Sequence, residues 1–101
     1  MESRCMSYSV RYTSEAETDL LKLAKFEYNV TGDTSGTDHL RLMLKNLGNN
    51  PKVGAVYEQS NDIRQIHVLY GKSGYSALYK VFDVVEIVGI LRVKHQKENN
   101  Y

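Results

Sequence analysis

Positions 8, 10 and 12 are aromatic or apolar while 9 and 11 are polar, the period-two alternation of a half-buried strand over residues 8–13, "YSVRYT". The period then lengthens. In "SEAETDLLKLAKFEY" (14–28), Ala16, Leu20, Leu23 and Ala24 form one stripe at helical spacing. Ser14 followed by Glu17 fits a capping box, in which hydroxyl and carboxylate reach back to free backbone donors. Glu15, Glu17 and Asp19 suit the positive end of the helix dipole. After a Gly-, Thr- and Ser-rich break, "NVTGDTSGT", a second helix is predicted over 38–48, with Leu40, Met43, Leu44 and Leu47 along one side. Gly48 is expected as a left-handed residue past its end, and Pro51 stops continuation. Two amphipathic helices so closely joined predict an antiparallel helical hairpin.

The rest alternates as strands. "IRQIHVLY" (63–70) is rich in β-branched and aromatic residues, "GKSG" (71–74) reads as a turn, and "YSALYKVF" (75–82) places Tyr75, Ala77, Tyr79 and Val81 on one face. Asp83 marks a reversal. "VVEIVGILRV" (84–93) is apolar on both faces, as an interior strand would be, and Gly89 inside it predicts a bulge or a close backbone approach. The expected fold is α+β in the order β-α-α-β-β-β, an antiparallel twisted sheet with a two-helix hairpin on one face.

Length and composition narrow this further. The 101 residues make one domain, with 1–7 as a flexible leader and 96–101 as a tail. Thirteen Lys/Arg against twelve Asp/Glu give no general nucleic-acid binder, although a local basic patch stays open. The single Cys5 excludes an internal disulfide and fits a reducing compartment. No apolar run is long enough to span a membrane and the first residues lack a secretory signal, so a cytoplasmic protein is expected. His39, His67 and His95 are too dispersed for a metal motif, so neither metal nor cofactor is expected.

Four stretches in this order, "YSVRYTSEAETDLLKLAKF", "LKNLGNNPKVG", "IRQIHVLYGKSGYSALYKV" and "ILRVKHQKENNY", resemble the RelE/ParE toxins of bacterial type II toxin–antitoxin, or plasmid stabilisation, systems. The resemblance implies a small toxin neutralised by a cognate antitoxin protein. It also implies one of two targets. ParE-like members bind DNA gyrase and block replication; RelE-like members enter the ribosome and cut mRNA. A third possibility is an inactive relic that only binds antitoxin.

Cutting RNA through its 2′-hydroxyl needs a base, an acid and cations for the phosphate. The nuclease reading would place His95 and Tyr101 as the acid–base pair and Arg64 and Arg92 on phosphate. Against it, the sequence has no dense basic run between the second helix and the second strand, and its net charge is only +1. The ParE-like reading, a gyrase inhibitor without chemistry of its own, is therefore preferred, with Arg92, Lys94, His95, Lys97 and Tyr101 as partner-binding residues. His67, Tyr75 and Tyr79 are expected to pack within or at the edge of the sheet rather than to catalyse.

Overall fold

A computed structural model describes residues 7–57 and 62–97. Cys5, Tyr101 and the first six residues of the expected leader lie outside the described residues. The element order is β1 (Ser9–Tyr12), α1 (Ser14–Thr31), α2 (Ser35–Lys45) with a short 3₁₀ turn (Asn46–Gly48), β2 (Ala55–Val56), β3 (Ile63–Tyr70), β4 (Ser73–Phe82) and β5 (Ile87–His95). The strands form one sheet in the order β1-β5-β4-β3-β2. The expected architecture is present with two additions. β1 runs parallel to β5, making the sheet mixed, and the two-residue β2 pairs with β3.

One core joins helices and sheet. Ala16 and Leu20 of α1 and Leu40 and Leu44 of α2 are fully buried against Tyr79, Val88 and Ile90. Paired residues of neighbouring strands share a face, so Val68, Tyr75, Ala77, Tyr79, Val93 and His95 turn toward the helices. His67, Ser76, Lys80 and Lys94 turn to the other face.

Several local expectations are corrected. The N-cap of α1 is Thr13, not Ser14: its hydroxyl accepts from the Ala16 N–H at 3.1 Å. α2 begins at Ser35, within the stretch read as a break. Gly48 is not left-handed; the positive-φ glycines are Gly32 and Gly71. What Gly48 serves is close approach, since its carbonyl accepts the Tyr8 N–H at 2.7 Å and a Cβ there would collide with the Tyr8 carbonyl. Val84 and Val85 belong to the turn before β5, and Val84 is 98 % exposed.

The bulge in β5 falls at Leu91, not Gly89. Leu78 pairs with Arg92 and Tyr79 with Ile90, leaving Leu91 without a partner in the register. Val88 and Ile90 before it, and Val93 and His95 after it, therefore share the helix-facing side despite opposite parity. Side chains leading into and along α1 satisfy the backbone freed by the bulge. The Thr13 hydroxyl donates to the Leu91 carbonyl at 2.9 Å, and Asp19 Oδ2 accepts the Val93 N–H at 2.9 Å.

Candidate interaction groove

α1 lies across β5 with one side left open. Between them runs a groove of about 540 Å³, walled by Lys22, Leu23 and Phe26 of α1 and by Val93, His95 and Lys97. Past Phe26 and His95 it continues as a second hollow of about 290 Å³, bordered by Val30, Tyr70, Lys72 and Tyr75. The floor is apolar and aromatic. Phe26 is 65 % exposed and borders the same hollow as the exposed Val30, so the floor is a contiguous apolar patch rather than a single side chain. The His95 ring meets Tyr75 edge-on, centroids 5.5 Å apart.

The two carboxylates of the groove are turned inward. Asp19 takes Arg92 Nε at 2.9 Å together with the Val93 N–H. Burial alone would raise its pKa; the hydrogen bonds from Arg92 and Val93, with the charges of Arg92 and Lys22, outweigh it and hold the carboxyl below its usual range. Glu27 accepts the N–H groups of Gly36 and Thr37 at 2.7 and 2.9 Å and the Thr37 hydroxyl at 2.8 Å, capping α2 from the neighbouring helix. Lys22, Lys72 and Lys97 are left at the rim without an ion-pair partner among the described residues. An apolar floor with a cationic rim suits an amphipathic partner with acidic flanks.

The candidate residues from the sequence are distributed as follows. His95 and Lys97 line this groove, Arg92 is held beside it by Asp19, and Lys94 lies on the sheet face opposite to His95, paired with Ser76 in the register. Arg64 stands apart from them: its guanidinium donates to the carbonyls of Lys52 and Gly54 at 3.1 and 2.7 Å, pinning the loop before β2. Tyr79 accepts the Gly54 N–H beside it, and burial, opposed by that bond and by Arg64, raises its pKa. His95 and Arg64 therefore do not meet on one site. His67 is exposed and shares a 2.8 Å hydrogen bond with the Ser76 hydroxyl. The groove residues that sequence reasoning missed are Lys22, Phe26 and Val30. A signal existed in α1, where apolar positions run wider than one core-facing stripe needs.

Among the described residues no cluster of three or more His, Cys, Asp or Glu could hold a metal, and no helix is long and apolar enough to cross a membrane.

The fold has recognisable relatives. The family described as the ParE toxin of the type II toxin–antitoxin system parDE matches residues 10–100. The toxin–antitoxin structure of the chromosomal ParDE system from P. aeruginosa has a similar fold, with TM-score 0.72 and 19 % identity over 89 % of this chain and 97 % of that one. The isolated E. coli RelE toxin gives TM-score 0.69 and 20 % identity, covering 93 % and 89 %. The M. tuberculosis RelBE2 toxin–antitoxin complex gives 0.63 and 23 %, covering 96 % and 100 %. No curated protein matches the sequence. Identities this low carry the fold alone, but the family match spans nearly the whole chain. The chain thus belongs to the ParE toxin family of type II toxin–antitoxin systems.

Proposed function

We propose that the chain is a gyrase-inhibiting toxin that acts through surface contacts and is neutralised by a cognate antitoxin covering the α1–β5 groove. The observation that supports this reading is the separation of the residues an RNA-cleaving centre would need. Arg64 is committed to two loop carbonyls and Arg92 to Asp19, while His95 sits on the helix-covered side against Tyr75. The groove is built for contact instead, with exposed apolar side chains under three lysines. A disordered antitoxin segment folding there as a helix would lay apolar residues on Leu23, Phe26 and Val30 and acidic ones toward Lys22, Lys72 and Lys97.

The test is a supercoiling assay with purified gyrase. Micromolar toxin is expected to inhibit supercoiling and to accumulate cleaved DNA, and added antitoxin to reverse both. No inhibition by a preparation that arrests growth when expressed would overturn the reading.

One observation favours a second reading. The sheet face away from the helices carries Arg11, Lys80 and Lys94 beside His67, a cationic surface without a described Asp or Glu among its strand positions. A RelE-like toxin would use such a surface against mRNA on the ribosome. Ribosome-dependent mRNA cleavage in a purified translation system, with gyrase unaffected, would select it.

A further inference from the structure

We propose that the flank of α1 turned away from β5 pairs with the same flank of a second copy of this chain, antiparallel and about a two-fold axis at Leu21. The pairing surface is separate from the groove between α1 and β5 and does not depend on the gyrase reading.

On an α-helix, residues four apart form ridges that pack into the grooves of a facing helix. Glu17, Leu21 and Lys25 make one such ridge on α1, and Ala24 and Tyr28 stand beside it as the next. Leu21 and Tyr28 are 56 % and 60 % exposed, whereas Ala16 and Leu20 of the same helix are buried in the core. The two ridges border a hollow of about 360 Å³, lined by Leu21, Ala24, Lys25, Tyr28, Asn29 and Thr34, with no Asp or Glu among them. None of these residues lines the groove between α1 and β5. Ala24 is small, so a leucine from a facing helix can seat between Leu21 and Tyr28.

What selects a second copy is the charge along the ridge. It runs acidic, apolar, basic, and Glu17 and Lys25 stand ~12 Å apart along the axis, too far to pair with each other. Both are exposed, and neither has an ion-pair partner among the described residues. A two-fold interface must be complementary to itself. With two α1 helices antiparallel about Leu21, Glu17 of each copy meets Lys25 of the partner subunit, and the helix dipoles oppose. Each Leu21 then seats against the hollow of the other copy. Parallel pairing would instead set Glu17 on Glu17 of the partner subunit, so the charges fix the direction. A partner of one sign would satisfy one end of the ridge and leave the other against a like charge.

The test is sedimentation velocity on the full chain. Reversible monomer–dimer exchange is expected between micromolar and millimolar concentration, since a single pair of helices makes a small interface. Glu17→Lys and Lys25→Glu, each alone, place like charges at both ends of the contact and are expected to weaken dimerisation about tenfold or more. An equimolar mixture of the two single variants is expected to form the heterodimer, because its ends are again opposite in sign. The Glu17→Lys, Lys25→Glu double variant is expected to recover self-association. It carries both charge reversals, with whatever they cost the helix, so its recovery reports the contact and not the fold. The proposal is overturned if the chain stays monomeric at millimolar concentration, if either single variant dimerises like the wild type, or if the mixture or the double variant fails to pair. It is also overturned if the substitutions weaken antitoxin binding and leave self-association unchanged, since the flank would then belong to the antitoxin.

Discussion

The Asp19 side chain, 12 % exposed, answers both a guanidinium and a backbone N–H freed by the bulge, so removing its charge has a calculable consequence. Asp19→Asn keeps an oxygen for Val93 but gives up the charge-assisted bond to Arg92, and is expected to cost about 1–3 kcal/mol in urea unfolding at neutral pH. The pH dependence follows from the lowered carboxyl pKa of the folded chain. A carboxylate that is harder to protonate when folded adds stability above its unfolded pKa of ~3.9, and that increment fades as pH falls through the lower folded value. The gap between wild type and Asp19→Asn should therefore be constant at neutral pH and shrink below about pH 4. Asp33 and Asp83 are depressed too, and taking the difference between the two proteins cancels them. A gap unchanged in acid would show that Asp19 acts through packing alone. The sequence placed Asp19 in the first turns of a helix and Arg92 near the end of a strand, but nothing local joins residues so far apart. What hid the link is the bulge: "VVEIVGILRV" is apolar at nearly every position, so no alternation was left to reveal the parity change at Leu91.

Elements whose ends are fixed locally were legible, and those fixed by tertiary contacts were not. The stripe of α1 and the strands of the β3–β4 hairpin follow directly from their periodicity. The helical connection does not, because Gly, Thr and Ser read as a long break whereas only residues 32–34 separate the helices. Gly32 ends α1 at φ 88°, its N–H reaching the Tyr28 carbonyl, and Asp33 Oδ1 accepts the Ser35 N–H to start α2. The rest of the α2 start is held by Glu27 on the other helix, a bond no window around Ser35 contains. The left-handed turn makes a specific demand. Gly32→Ala is expected to lose about 1–2 kcal/mol, because an L side chain is strained at that φ although space is open around it. Gly32→Asn should lose less, since asparagine tolerates this conformation better than alanine. Thermal unfolding resolves both, at ~4–8 °C per kcal/mol for a domain of this size. Equal loss in the two variants would mean that flexibility, not conformation, is what Gly32 provides.

For the whole molecule, the position of the groove decides how neutralisation and toxicity are related. Its floor extends from the flank of α1 to the β3–β4 turn, and its rim lysines lie on α1, on that turn and just past the end of β5. A partner seated there touches α1, the β3–β4 turn and the end of β5 at once. Phe26 is the natural probe, being large, apolar and mostly exposed in the chain alone. Phe26→Asp leaves the core cluster untouched, so unfolding is expected to shift by no more than about 0.5 kcal/mol. If Phe26 anchors the antitoxin, the variant should bind it about 30-fold or more weakly in titration calorimetry, the loss of an interface hot spot. Added salt should weaken the wild-type complex as well, because Lys22, Lys72 and Lys97 are exposed to screening. If gyrase is the target, as proposed, its inhibition by the same variant separates two arrangements. Where antitoxin and gyrase share the groove, supercoiling inhibition falls along with antitoxin binding, and that is the outcome expected if neutralisation works by covering the contact surface. Full inhibition by a variant that no longer holds antitoxin would place the gyrase contact elsewhere, and neutralisation would then have to act at a distance from it.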